Sequence, residues 1–107
     1  MSKVQLADQI GSEKKIFYFK SYGKVIGSAR DLKELLTEMR RLEFENPYAL
    51  KYHLAEGHVV QWLHSMRMDE LAEKLDGVSN IALAERFVYE FLERSTTLNR
   101  MSHGRMH

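Results

Sequence analysis

The sequence predicts a mainly helical α+β domain in which an N-terminal β-hairpin packs on a bundle of about five helices. An aromatic block followed by a glycine turn predicts the hairpin, and apolar residues spaced three and four apart predict the helices. A chain of 107 residues suits one domain that buries roughly 65% of its unfolded surface. We place this domain at residues 14–98, between a flexible lead at 1–13 and a flexible tail at 99–107.

The hairpin is predicted from residues 16–19, which are four consecutive β-branched or aromatic side chains between lysines. Residues 21–24 supply a turn around Gly23, and a second short strand begins at residues 25–26 and ends at Gly27. An isolated hairpin is only marginally stable in water. We therefore expect the helices to cover one of its faces.

The first two helices follow directly. Ser28 or Asp31 can cap the start of the first helix, and its single apolar stripe consists of Leu32, Leu35, Leu36, Met39 and Leu42. The second helix is expected to begin with Asn46 as N-cap and Pro47 as its first residue, and to end at Gly57. We expect it to turn Tyr48, Ala49 and Tyr52 inward, with Leu50 and Leu54 as further candidates for that side.

Three more helices are predicted beyond Gly57. Two are short, around residues 59–66 and 68–75, and the last runs from about residue 80 to residue 98 with Ser79 as its cap. The apolar arc of this last helix is wider than one neighbouring helix can cover. Either the helix runs through the centre of the bundle, or the side that carries Leu83 and Phe87 meets a partner or a second copy of the chain.

Composition excludes several classes of protein. The chain has 16 basic and 15 acidic residues, so no strong global field attracts it to nucleic acid or an anionic membrane. The absence of cysteine removes disulfides, thiol catalysis and cysteine-ligated zinc. No apolar run approaches the roughly 20 residues of a membrane helix, and no signal peptide is evident. We expect a soluble, cytoplasmic domain that does not associate with membranes.

Residues 52–64 are the most informative segment, because they hold the single tryptophan and three of the five histidines. We interpret His53, Gly57 and Trp62 as a structural motif that joins two short helices at a glycine break. None of these three histidines has the spacing of two metal ligands on one helical turn, and His103 and His107, which are four apart, lie in the tail, so we expect no metal and no cofactor. No nucleophile motif is present, and the carboxylates follow helix-surface spacing, which favours a protein that is not an enzyme.

A basic and aromatic segment offers an alternative function. Its side chains could stack on bases and neutralise phosphates, and they are Lys14, Lys15, Tyr18, Lys20, Tyr22 and Lys24. Strand alternation explains the same pattern without nucleic acid, since Phe17 and Phe19 would face the core while the lysines face solvent. The nucleic-acid interpretation is therefore the second choice.

The order of these landmarks resembles a known family. The matching elements are the aromatic strand at residues 16–19, the helix start at 31–36, the His53 and Trp62 pair around Gly57, the run at 70–75 and a last helix with Arg94 and Leu98. Together they resemble the small archaeal and bacterial domains grouped as domain of unknown function 5752, over about residues 15–98. The resemblance implies kinship in fold and no established activity.

This chain differs from that family pattern at two places. The family has an acidic and an aromatic residue where this chain has His58 and Val59, and a Gly-Asp pair where this chain has residues 67–69. If the family uses those positions for binding, this chain has changed that role.

Taken together, the sequence observations favour a non-catalytic protein-interaction or regulatory module of an archaeal or bacterial cytoplasm. Nucleic-acid association is the alternative, and a histidine-based metal or enzyme site is the third choice.

Overall fold

The computed structural model describes the backbone of residues 15–104 and the side chains of residues 15–95. Its elements in chain order are β1 (Phe17–Ser21), β2 (Lys24–Ala29), α1 (Leu32–Glu45), α2 (Pro47–Ala55), α3 (His58–Ser65), α4 (Asp69–Leu75) and α5 (Ile81–Gly104). The predicted α+β architecture, one hairpin on five helices, is confirmed. The lead expected at residues 1–13 lies outside the described residues.

The hairpin is antiparallel and longer than the sequence predicts. Phe17 and Phe19 are buried, whereas Tyr18 and Lys20 between and after them are exposed, as strand alternation requires. Tyr22 and Gly23 form the turn with φ of 51° and 79°, the left-handed pair that matches the twist of a two-residue hairpin. The pairing is irregular after Phe19, because Phe19 lies opposite Gly27 and Lys20 lies opposite Val25.

Helix α1 covers β2 and packs against α5. The Asp31 carboxylate caps its start by accepting from the Glu34 backbone N–H at 2.9 Å. The five predicted stripe residues are all buried. At the hairpin, Arg41 donates to the Ile26 carbonyl at 2.7 Å and pairs with Glu38. A Cβ at Gly27 would overlap the ends of both charged side chains, so these would have to shift if another residue stood there.

Helices α2 and α3 meet at Gly57, which adopts φ 79°. The Asn46 side chain caps α2 by accepting from the Ala49 backbone N–H at 3.1 Å, as predicted. The expectation that Tyr48 and Tyr52 point inward is wrong, since they are 86% and 55% exposed. The face of α2 that packs on β1 and the other helices consists of Ala49, Leu50 and Leu54, which were expected there or were candidates, and of His53. These residues recur at helical spacing and leave both tyrosines on the outer side.

Helix α5 lies against α1, α4 and α2. Asn80, rather than the predicted Ser79, caps it by accepting from the Leu83 backbone N–H at 2.9 Å. The helix continues beyond Leu98 to Gly104, so the boundary expected at residue 98 is not a helix end. Ala84 and Val88 lie in the core, and no helix among residues 15–104 is both long and apolar enough to cross a membrane.

Candidate functional site

A cleft of about 700 Å³ opens where the hairpin turn meets α2 and the start of α3. The described residues that line it are Lys20, Ser21, Tyr22, Gly23, Asn46, Tyr48, Ala49, Tyr52, His53 and His58. We call it the tyrosine cleft, after Tyr22, Tyr48 and Tyr52. Its volume lies within the roughly 300–1,000 Å³ that is typical of ligand-binding pockets.

The three tyrosines reach the cleft from two directions. Tyr48 and Tyr52 are four residues apart on α2, so their rings lie on one side of that helix. Tyr22 occupies the hairpin turn and is fully exposed to solvent. Exposed aromatic surface concentrated around one concave region is typical of binding sites. The sequence held a signal for this arrangement, because Tyr48 and Tyr52 fall outside the stripe that includes Leu50 and Leu54.

His53 closes the outer edge of β1. Its Nε2 lies 2.9 Å from the Lys20 backbone nitrogen and 3.0 Å from the Lys20 carbonyl oxygen. Both groups of one strand residue point to the same side, and here they face α2 instead of β2. A protonated Nε2 donates to the carbonyl, whereas an unprotonated Nε2 accepts from the N–H. The imidazole thus occupies the place that a third strand would otherwise take.

A second histidine contacts the first. The Nδ1 atoms of His53 and His58 are 2.9 Å apart, so one of them donates a hydrogen that the other accepts. When His53 donates through Nδ1, its neutral ring accepts at Nε2 from the Lys20 N–H. When His58 donates, His53 donates through Nε2 to the Lys20 carbonyl. The tautomers of both rings are therefore linked to a single backbone position.

Burial favours the neutral form of His53, which is the buried member of this histidine pair. His53 is 5% exposed, and this burial lowers its pKa below the usual 6.5. The hydrogen bond with the Lys20 backbone acts in the opposite direction, and repulsion from His58, when that ring is protonated, lowers the pKa of His53 further. His53 consequently contributes shape and directed hydrogen bonds rather than a positive charge.

Two residues of the predicted motif, His53 and Trp62, lie against Phe17, and the third, Gly57, lies at the junction of α2 and α3. The Phe17 ring centroid lies 5.7 Å from that of His53 and 5.9 Å from that of Trp62. Trp62 is 7% exposed, and its Nε1 has no hydrogen-bond partner among residues 15–95. Trp62 therefore contributes apolar area, while the directed hydrogen bonds come from His53.

The structure places only part of the basic and aromatic set proposed for nucleic acid in the tyrosine cleft. Lys20 and Tyr22 line the cleft, whereas Tyr18 and Lys24 do not. Lys15 donates to the Ser65 carbonyl at 3.4 Å, at the other end of β1, and Lys14 lies outside the described residues. The cleft gathers only part of the predicted set.

Leu83 and Phe87, the predicted partner interface, lie outside the cleft lining. Leu83 is 41% exposed, and Phe87 is half-buried against the core with the Lys74 ammonium 5.6 Å from its ring centroid. Cation–π contact of this kind covers part of the Phe87 ring. The apolar surface that α5 leaves exposed here is therefore centred on Leu83.

No family model matches the chain, and neither a curated protein nor a solved structure matches it. Kinship with domain of unknown function 5752 stays a prediction. The described residues contain no group of three or more side chains that could together hold a metal ion. What the cleft offers chemically is aromatic surface, hydroxyl and amide groups, two linked imidazoles and one ammonium group.

Proposed function

We propose that this domain is a non-catalytic protein-interaction module, and that the tyrosine cleft holds an extended segment of a partner protein. The observation that carries the proposal is the convergence of Tyr22, Tyr48 and Tyr52 on one cleft. Tyrosine offers a large apolar ring with a polar end and loses little conformational entropy when it binds. It is accordingly enriched among residues that dominate binding energy.

The scaffold under the cleft favours tight binding of a short segment. Tyr48 and Tyr52 project from a helix whose other side is buried, and His53 bonds that helix to β1. Groups held on rigid elements lose less freedom on association, which improves affinity. A cleft of about 700 Å³ admits several side chains of a peptide but not a folded surface.

The experiment is a selection from a displayed random-peptide library on the immobilised domain. We expect enriched peptides to bind the wild type and the Tyr89→Ala variant equally, and the Tyr48→Ala variant about tenfold more weakly. Tyr89 is a matched control, since it is an exposed tyrosine of α5 that does not line the cleft. If no peptide is enriched, or if enriched peptides bind all three proteins equally, the proposal is wrong.

Association with single-stranded nucleic acid is the second candidate. Tyr18 and Lys20 lie side by side along the exposed face of β1, and Tyr22 and Lys24 follow at the turn. Aromatic rings next to ammonium groups can stack on bases and contact phosphates. This candidate requires affinity that falls steeply with salt, by a slope of about 0.7 per phosphate contact on a single strand. We expect binding to oligothymidylate to be weak or absent at physiological salt.

We also propose that the domain acts in the cytoplasm of an archaeon or bacterium. The cysteine-free sequence, which suits a reducing compartment, supports this location. Self-association is a separate proposal that concerns the surface of α5 with Leu83 and Phe87. The exposure of Leu83 supports it.

A further inference from the structure

We infer that the segment bound in the tyrosine cleft is acidic and that one of its carboxylates lies against Lys20. This inference rests on the proposed function, and it adds the chemistry of the partner. Three features of the cleft support it: its charges, its hydrogen-bond donors and the linked tautomers of its two histidines.

Charge is the first argument. None of the described residues that line the cleft is aspartate or glutamate, and Lys20 is the one lysine or arginine among them. Lys20 forms no ion pair within the described part of the chain. The other described lysines form none either, whereas four arginines each pair with glutamate, namely Arg30, Arg41, Arg86 and Arg94. An anionic ligand would give Lys20 the counter-charge that those arginines find within the fold.

Hydrogen-bond donors are the second argument. Asn46 uses its Oδ1 atom to cap α2, so the part of its amide that remains for a ligand is the Nδ2 donor. The tyrosine hydroxyls can also donate. The first turn of α2, with Asn46, Tyr48 and Ala49, borders the cleft, and the positive end of the helix dipole favours negative charge there. These groups all suit a carboxylate acceptor.

The histidine pair is the third argument, because it can adjust to an acceptor. If His53 donates through Nδ1 to His58, neutral His58 carries its hydrogen on Nε2 and becomes a donor on its other side. His53 then accepts from the Lys20 N–H through Nε2, which is 2.9 Å away. A carboxylate near His58 would select this tautomer without breaking either contact of His53.

An acidic peptide fits these observations better than a nucleic acid does. A single strand presents a phosphate at every nucleotide and needs several cations along its path. Lys20 supplies the single ammonium group among the described residues that line the cleft, since Lys15 and Lys24 do not line it. One ammonium with several donors matches a peptide that has an isolated glutamate or aspartate among apolar side chains.

The test compares the composition of the peptides selected by four proteins: the wild type, Lys20→Glu, Lys33→Glu and Tyr48→Ala. Lys33 is a matched control, because it is an exposed lysine on α1 outside the cleft. Peptides that the Tyr48→Ala variant fails to select are those that require Tyr48. We expect such peptides to be enriched in glutamate and aspartate when the wild type or Lys33→Glu selects them. We expect Lys20→Glu to select basic peptides instead, since it reverses the charge at the cleft.

Affinities measured on one selected peptide complete the test. Replacing its acidic residue by the amide, or Lys20 by glutamine, is expected to weaken binding about two- to fivefold at moderate salt. The circular dichroism of each variant confirms that it is folded. Peptides that require Tyr48 but are neutral or basic would overturn the inference and leave the proposed function intact. Absence of any peptide that requires Tyr48 would overturn both, and salt-steep binding of oligothymidylate would replace them with the nucleic-acid candidate.

Discussion

Replacing Trp62 by alanine tests whether the junction of α2 and α3 depends on packing around Phe17. A buried aromatic side chain removes about 150–250 Å² from water, which at about 25 cal/mol per Å² gives about 4–6 kcal/mol. The buried Nε1 has no partner among residues 15–95, so deleting it recovers about 1 kcal/mol. We therefore expect Trp62→Ala to lower the free energy of unfolding by about 3–5 kcal/mol. This is a large part of the stability of a domain of this size.

The expected effect of His53→Ala is smaller. It removes the hydrogen bond to the Lys20 backbone and the contact with His58, and it leaves less apolar area unfilled than the indole does. We expect a loss of about 2–3 kcal/mol. Tyr48→Ala is the control, because this 86% exposed aromatic side chain should change stability by only about 0.5 kcal/mol.

Urea unfolding followed by circular dichroism measures all three variants, with and without a chelator. The order of loss should be Trp62→Ala, then His53→Ala, then Tyr48→Ala, and the chelator should change none of the curves. An equal effect of Trp62→Ala and Tyr48→Ala would refute the packing argument. A chelator-dependent loss of stability that His53→Ala abolishes would show that the histidines hold a metal ion.

Three further predictions concern pH and association. Burial lowers the pKa of His53 in the folded domain. Below about pH 6.5, His53 is therefore protonated more readily in the unfolded chain than in the folded domain. Stability should fall as pH decreases below that value, and His53→Gln should flatten the fall. Burial beside Glu43 raises the pKa of Glu85 to about 7, so its contribution to stability is present below about pH 4.5 and lost as pH rises through 7. Glu85→Gln should therefore gain stability relative to the wild type above pH 7, and an unchanged difference between the two would contradict this. Sedimentation at increasing concentration should show association that Leu83→Asp removes, and a monomer at every concentration would exclude the Leu83 and Phe87 interface.

Much of the fold follows from local patterns in the sequence. The stripe of α1, the Asn46 and Pro47 start of α2 and the left-handed Gly57 each depend on neighbouring residues, so the sequence predicts them directly. The observed ends of the strands and of α5 differ from those that the sequence predicts, because these ends depend on pairing and packing with distant residues.

The site was harder to predict for a related reason. His53 binds the backbone of Lys20, and Tyr22 reaches the same cleft as Tyr48 only after the hairpin docks on α2. No pattern within one segment reports such a contact. The periodicity of α2 did hold evidence that its tyrosines are exposed, but the general tendency of aromatic residues to be buried led to the opposite expectation.

An NMR titration with a selected peptide tests whether the tyrosine cleft binds a partner segment. The account predicts saturable shifts of backbone amide signals at Lys20 to Gly23, at Asn46 to His53 and at His58, with little change in α5. The Tyr48→Ala variant should need about tenfold more peptide to reach the same shifts, whereas Tyr89→Ala should match the wild type. Saturable shifts centred on Leu83 and Phe87 instead, or a Tyr48→Ala variant that saturates at the same peptide concentration as the wild type, would show that the cleft is not the binding site.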